Sequence, residues 1–284
     1  MGMQTLRNKT ALVTGAASGI GRALALRLAH EGTHLHLVDI ESEGLAVVAD
    51  EVKQRGVAVS TRICDVSEQS EIAMCIEHGL RRWGSFDLLV NNAGTTYYGR
   101  TDQMSAENCE HLLAVNLHAP MHFTRLLLPT LLARPEAHVL NMASLLGLIG
   151  VQKLAVYSAT KFAIVGFSES LRAEYARTNL GVTAFCPGFV DTNLFTSSAH
   201  GRDRHSPKSP PRWMMTTADK VAARAIKAIY RDDAIVVTQH YAKAIHLTKR
   251  LLPSLIDFAS HLSRKRLAAK VEQPPTEEER RAAA

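Results

Sequence analysis

The chain has 284 residues, 46% of them hydrophobic and 21% charged, with a formal net charge of +6. That length supports one large α/β domain whose core needs no cross-links. The charge is local: residues 241–270 hold seven Lys/Arg against one acid, Asp257, and residues 271–284 hold two Arg against four Glu, which leaves residues 1–240 at only +2. A body so close to neutral excludes a nucleic-acid footprint. The four cysteines form no CxxC pair and read as small buried apolar residues of a reducing, cytoplasmic compartment. The N-terminus shows no signal-peptide pattern, and no apolar run is long enough to predict a spanning helix.

The first predicted unit organises the rest. The stretch TALVTGAASGIGRALALRLA, residues 10–29, runs from an apolar strand ending at Thr14, through Gly15, Gly19 and Gly21, into an amphipathic helix. Strand, glycine loop and helix start make a cradle for an anion such as a pyrophosphate, because the helix N-terminus offers unpaired N–H groups and partial positive charge. A second buried strand, residues 35–40, ends in Asp39. Its distance past Gly21 suits a carboxylate that binds an adenosine ribose and repels a 2′-phosphate, and Ile40 follows it where a cation is absent.

A helix over 42–55, a strand over 57–66 closed by Asp65-Val66, a helix over 68–82 capped by Ser67, and a strand over 86–94 running into Asn91-Asn-Ala-Gly94 come next in order. One continuous amphipathic helix is expected over 105–132, with Asn116 in its middle; Asn is a poor helix-interior residue, so a packing or functional reason is implied. A strand over 137–147 contains Ser144, a long helix covers 156–178, and a strand over 181–188 stops at Pro187-Gly188. Residues 189–216 read as a polar loop beside the site, followed by a helix from Thr217 or Ala218 and a short strand AIVVTQ. The alternation of strands and helices predicts a doubly wound parallel sheet flanked by helices, in a single Rossmann-type domain over 1–240.

The chemistry centres on Tyr157 and Lys161, four residues apart on one helix face. A free phenol has a pKa of about 10 and is a poor base near neutrality. A nearby ammonium or a cationic nicotinamide ring favours phenolate, which can then exchange a proton with a substrate oxygen during hydride transfer. Ser144, at the carboxyl end of a parallel strand, is placed to hold the same oxygen.

Taken together, Thr14-Gly-x-x-x-Gly-x-Gly21, Asn91-Asn-Ala-Gly94, Asn116, Ser144, Tyr157-x-x-x-Lys161 and Pro187-Gly188, in that order, resemble the classical branch of the short-chain dehydrogenase/reductase family over about residues 7–240. The resemblance implies a catalytic tetrad of Asn116, Ser144, Tyr157 and Lys161. Tyr157 would be the acid/base and Ser144 would orient the substrate oxygen. Lys161 would lower the tyrosine pKa and bind the nicotinamide ribose, and Asn116 would hold a relay water. It further implies that Gly15, Ser18, Gly19 and Ile20 line the pyrophosphate and ribose, that Asp39 takes the adenosine ribose, and that Asp65 and Val66 flank adenine. Asn92, Ala93 and Gly94 would border the cofactor; Pro187, Gly188, Val190 and Thr192 would meet its nicotinamide end. Asp39 with Ile40 resembles the NAD-preferring subgroup, so NAD is the expected cofactor before NADP, with a secondary alcohol or ketone as substrate. A homodimer or homotetramer through the two long helices is expected by the same analogy.

Other features carry weaker expectations. His118 and His122 stand at i, i+4 without a third ligand at sensible spacing, so no metal is expected. Trp213, Met214 and Met215 either line a lipophilic pocket or pack an ordinary loop. Residues 241–270 suggest a basic amphipathic extension, broken near Pro253, that rests on an anionic membrane or simply packs on the subunit. Residues 271–284 read as a disordered tail. An NADP-dependent carbonyl reductase and a non-catalytic nucleotide-binding regulator are the competing functions.

Overall fold

The structure is a computed structural model that describes residues 2–192, 194, 199–200, 210–252 and 254. It divides into two units, Met1–Gln239 and His240–Ala284.

The first unit is built on a seven-stranded sheet in which every pairing is parallel. In chain order its main elements are β1 (Thr10–Thr14), α1 (Gly19–His30), β2 (His34–Asp39), α2 (Ser42–Lys53), β3 (Val59–Ile63), α3 (Gln69–Trp83), β4 (Leu88–Asn91), β5 (Tyr97–Tyr98), α4 (Ala106–Leu113), α5 (Ala119–Leu132), β6 (Ala137–Met142), α6 (Ala155–Glu174), β7 (Leu180–Cys186), β8 (Val190–Asp191), β9 (Ala199–His200), β10 (Thr216–Thr217), α7 (Ala218–Arg231) and β11 (Ile235–Val237). The sheet order is β11-β7-β6-β4-β1-β2-β3. Strand order therefore reverses at β1, with β2 on one side and β4 on the other, and the crevice at that switch point is where such sheets bind ligands.

Central strands with residues buried on both faces, such as β4 and β7, need cover on both sides. One apolar cluster joins α1, α2 and α7 to the sheet through Leu24, Leu28, Val48 and Ile229. A second joins α3, α5 and α6 through Ile76, Phe123, Leu127 and Leu171. The doubly wound Rossmann arrangement expected from the alternation is thus the observed one.

Three local departures have physical causes. Ser67 does not cap α3; its amide and hydroxyl both donate to Asp65 Oδ1, at 2.9 and 2.7 Å, in a turn of its own, and Glu68 takes the cap position. The expected helix over 105–132 is interrupted by a π-helical turn, Ala114–His118, between α4 and α5. Asn116 lies inside that turn with its side chain bonded to a neighbouring loop, which explains its presence among good helix formers. The polar stretch 189–216 also forms short pairings: its β8 pairs with β10 at its end, and its β9 pairs with β5 after β4.

The second unit begins with α8 (His240–Leu251), whose last turn carries Lys249 and Arg250 and which ends beside exposed Leu251 and Leu252. The break expected near Pro253, the remainder of the basic extension from residue 255 and the tail over 271–284 lie outside the described residues. Among the described residues no helix is long and apolar enough to cross a membrane.

Candidate active site

The glycine loop is built by close backbone approach. Gly15 and Gly19 both have positive φ, at 64° and 53°. A methyl at Gly21 would overlap the carbonyl oxygen of Gly15, so only glycine permits this turn. The loop is tied across the switch point to the end of β4. Asn92 Nδ2 donates to the carbonyls of Thr14 and Gly15 at 3.0 and 3.1 Å, and the amides of Asn92 and Ala93 donate to Thr14 Oγ1, each at 3.0 Å. Thr14 therefore does more than end a strand: its hydroxyl and carbonyl join the glycine loop to the Asn-Ala-Gly turn.

The residues present fit a dinucleotide. Ser18 holds the N-cap position of α1 without a side-chain cap, and the first turn has no acid to compete with an anion. Asp39 stands at the carboxyl end of β2, where its two oxygens accept from the amides of Ala17, at 2.8 Å, and Glu41, at 3.0 Å. These bonds aim the carboxylate while each oxygen keeps acceptor capacity for a hydroxyl. Asp65 and Val66 come just after the neighbouring strand end, with the Cys64 amide bonded to the Asp39 carbonyl at 3.0 Å. Ile40 is 62% exposed beside them.

The other rim comes from β7 and the segment after it. Pro187 accepts from the Leu145 amide at 2.8 Å, which ties it to the turn carrying Ser144. The Gly188 amide donates to Gln239 Oε1 at 2.7 Å. Val190 belongs to β8, paired with Thr216. Thr192 comes back over the glycine loop, so that a methyl at Gly19 would meet its Cγ2 at 3.3 Å. The structure thus brings Thr192 to the same cradle as residues far ahead of it in sequence.

The four candidate catalytic residues converge between the sheet edge and α6. Ser144 precedes a short 3₁₀ turn, Leu145–Gly147, and its Oγ accepts from the Leu146 amide at 3.1 Å. The Tyr157 phenol is buried, with Ser144 close enough to act on its pKa. Burial pushes the phenol up to about 12, and the Ser144 contact opposes that rise. Lys161 Nζ lies 5.7 Å from the centre of the Tyr157 ring and donates to the Met142 carbonyl at 2.8 Å. Burial pushes this ammonium down to about 8, with Cys186 nearby opposing. At Tyr157, then, burial outweighs the contact with Ser144.

Asn116 is held from two sides. Its Oδ1 accepts from the Thr95 amide and its Nδ2 donates to the Thr95 carbonyl, both at 2.9 Å, with a further 3.3 Å contact from Nδ2 to Thr160 Oγ1. Gly94 leaves the space: a methyl there would come within 3.2 Å of Asn116 Oδ1 and 3.6 Å of Lys161 Nζ. Thr95, Met142 and Thr160 are participants that no sequence motif indicated, because two of them act through backbone atoms. Tyr97 is another. It is buried in an apolar cluster with Leu112, Leu154 and Tyr157, and its hydroxyl has no hydrogen-bond partner among the described residues. An aromatic just past the Asn-Ala-Gly turn was the available signal.

Two other candidates fall away from this centre. His118 and His122 line a separate cavity of about 470 Å³ with Met121, Arg125 and Phe167. Trp213 is 73% exposed, on a 3₁₀ turn over Arg212–Met214.

A cradle for a dinucleotide beside a buried tyrosine–lysine–serine cluster, at the switch point of a parallel sheet, defines a nicotinamide-dependent oxidoreductase. Residues 9–203 match the short chain dehydrogenase family, and the chain belongs to it. It is similar to the oxidoreductase UcpA of Escherichia coli, at 35% identity over 73% of this chain and 79% of that one. It is also similar to a solved short-chain dehydrogenase/reductase of Burkholderia phymatum in complex with NAD, at 27% identity and a TM-score of 0.80, covering 89% of this chain and 96% of that one. An alcohol dehydrogenase of the archaeon Thermococcus sibiricus, complexed with 5-hydroxy-NADP, matches at 25% identity and a TM-score of 0.72, over 82% and 96%.

Proposed function

We propose that this oxidoreductase interconverts a secondary alcohol and its ketone, with NAD as the preferred cofactor and Tyr157 as the acid/base. The observation that carries the reading is the Tyr157 phenol, buried near Ser144 and one helical turn ahead of Lys161, whose Nζ lies 5.7 Å from its ring centre. When bound, the nicotinamide cofactor supplies the hydride acceptor. Ser144 holds the substrate oxygen through its hydroxyl. Tyr157, as phenolate, takes the alcohol proton and returns it in the reverse direction. A buried phenol at about 12 needs positive charge close by to ionise near neutrality, and Lys161 supplies it from the same face of α6. In this reading Lys161 also binds the cofactor ribose, Asn116 supports the proton path behind it, and the cradle residues from Gly15 to Thr192 hold the dinucleotide.

Asp39 supports NAD over NADP. Two backbone amides fix its carboxylate, which would repel a 2′-phosphate, and the adjoining Ile40 provides no compensating cation. Exposed Met121 and Leu132 on α5 and Phe162 on α6 support assembly of copies through those helices. The body over 1–240 would act in the cytoplasm on a small, partly apolar alcohol.

The test is a panel of secondary alcohols deuterated at the carbinol carbon, incubated with NAD and followed by mass spectrometry of the reduced cofactor. One deuterium in the NADH supports the reading; no transfer from any member, with bound NAD confirmed, contradicts it.

A further inference from the structure

We infer that Asn141 and Ser168 are positioning residues for the proposed alcohol–ketone reaction, setting the register of α6 against β6 and so the placement of Tyr157 and Lys161 beside Ser144. Both lie outside the glycine loop and the tetrad, and both are buried, at 0% and 2% exposure.

A directed chain of hydrogen bonds runs through the core. Asn91 Nδ2 donates to Asn141 Oδ1 at 2.8 Å, Asn141 Nδ2 donates to Ser168 Oγ at 2.9 Å, and Ser168 Oγ donates to the Ile164 carbonyl at 2.7 Å. The far end is anchored on α5, where Asn91 Nδ2 also reaches Thr124 Oγ1 at 3.2 Å and the Pro120 carbonyl at 3.4 Å. The polarity has one solution. Ser168 spends its only hydrogen on Ile164, so toward Asn141 it can only accept, and Asn141 must present its amide nitrogen there. That leaves the Asn141 oxygen for Asn91.

The placement of this chain gives it its consequence. Asn141 directly precedes Met142, the carbonyl that holds Lys161, and lies three residues before Ser144. On α6, residues 157, 161, 164 and 168 fall on one stripe at i, i+4, i+7 and i+11. The Asn141–Ser168 bond is therefore a side-chain-to-side-chain tie, beside the bond from Lys161 to the Met142 carbonyl, between the strand that leads to Ser144 and the helix face that carries Tyr157 and Lys161. Apolar packing alone tolerates a small sliding of a helix over a sheet; a buried amide-to-hydroxyl bond does not, because sliding would strand both polar groups.

The experiment compares Ser168→Ala, Ser168→Thr and Thr124→Val. Each is measured for kcat, KM, NAD affinity, the pH profile of kcat and the thermal midpoint. Ser168→Ala is expected to lower kcat about tenfold, as misplacement of reacting groups does, with NAD affinity held within about twofold and the pH profile displaced. Ser168→Thr, which keeps the hydroxyl and its bond to the preceding turn, is expected to restore most of kcat. Thr124→Val cuts the α5 end and is expected to lower the thermal midpoint without touching kcat. If Ser168→Ala does not fold, Ser168→Cys retains the volume, weakens both bonds and is read the same way. Ser168→Ala, or Ser168→Cys in its place, with wild-type kcat and pH profile overturns the inference, whatever its thermal midpoint. Because this role rests on the proposed reaction, deuteride transfer by the wild type is measured alongside: transfer with an unaffected Ser168 variant removes only the positioning role, whereas no transfer removes the reaction.

Discussion

Lys161 donates its ammonium to the main-chain carbonyl of Met142 at 2.8 Å, inside a site where it is only 4% exposed. This charge is held at a cost to the fold. Burial lowers its pKa to about 8 from the ordinary 10.5. Below pH 8 the folded protein bears the full cost of a buried cation, and between 8 and 10.5 the cost fades as the folded state sheds the proton first. Stability from this group therefore rises with pH across that window. Lys161→Met is expected to raise the thermal midpoint at pH 7 by about 3–6 °C, with a smaller gain at pH 10, while abolishing turnover. Differential scanning fluorimetry at the two pH values checks it.

Acid should destabilise the fold, with the same sign, through two histidines outside the candidate site. His36 and His138 are both fully buried, and burial pushes each down to about 4. His138 Nε2 bonds Thr183 Oγ1 at 2.9 Å, and because that hydroxyl donates to the Asp233 carbonyl at 2.6 Å, the ring must donate as the neutral Nε2 tautomer. An unfolded chain takes up both protons as pH falls through the ordinary histidine range near 6.5, whereas the folded chain does not until about 4. Stability is expected to drop by about 2 kcal/mol per histidine between pH 7.5 and pH 5. Urea unfolding at those two values measures the loss, and His138→Gln should reduce it.

Cofactor choice should hinge on one carboxylate. Asp39→Ser removes the charge proposed to face the ribose but leaves the Ala17 and Glu41 amides near a hydroxyl that can still accept. The variant is expected to bind NADH about tenfold more weakly and NADPH more tightly than the wild type. Titration of intrinsic fluorescence with both nucleotides decides it, since an unchanged ratio would show that Asp39 does not select the cofactor.

The parallel doubly wound fold was legible in sequence because each strand is a short apolar run closed by a polar or glycine residue, as at Thr14, Asp39 and Asn91. The candidate site residues were legible because short motifs carry them: Gly15 to Gly21, the Asn-Ala-Gly turn, and the Tyr157/Lys161 pair. What escaped has a common cause. The π turn at Asn116 depends on Thr95, the hold on Lys161 is a backbone carbonyl, and the tie through Asn141 and Ser168 joins residues 27 apart in sequence. None of these has a local periodicity. The raised Tyr157 pKa escaped for a related reason: spacing shows which ammonium is near, while burial is a property of the packed core.

The most direct test of the proposed chemistry is the turnover of Tyr157→Phe with a secondary alcohol and NAD, measured beside its NAD affinity and thermal midpoint. Loss of the phenol oxygen alone is expected to lower kcat by about 10²–10⁴-fold while the affinity and midpoint stay near those of the wild type. Turnover within a few fold of the wild type would contradict the assignment of Tyr157 as the group that moves the proton.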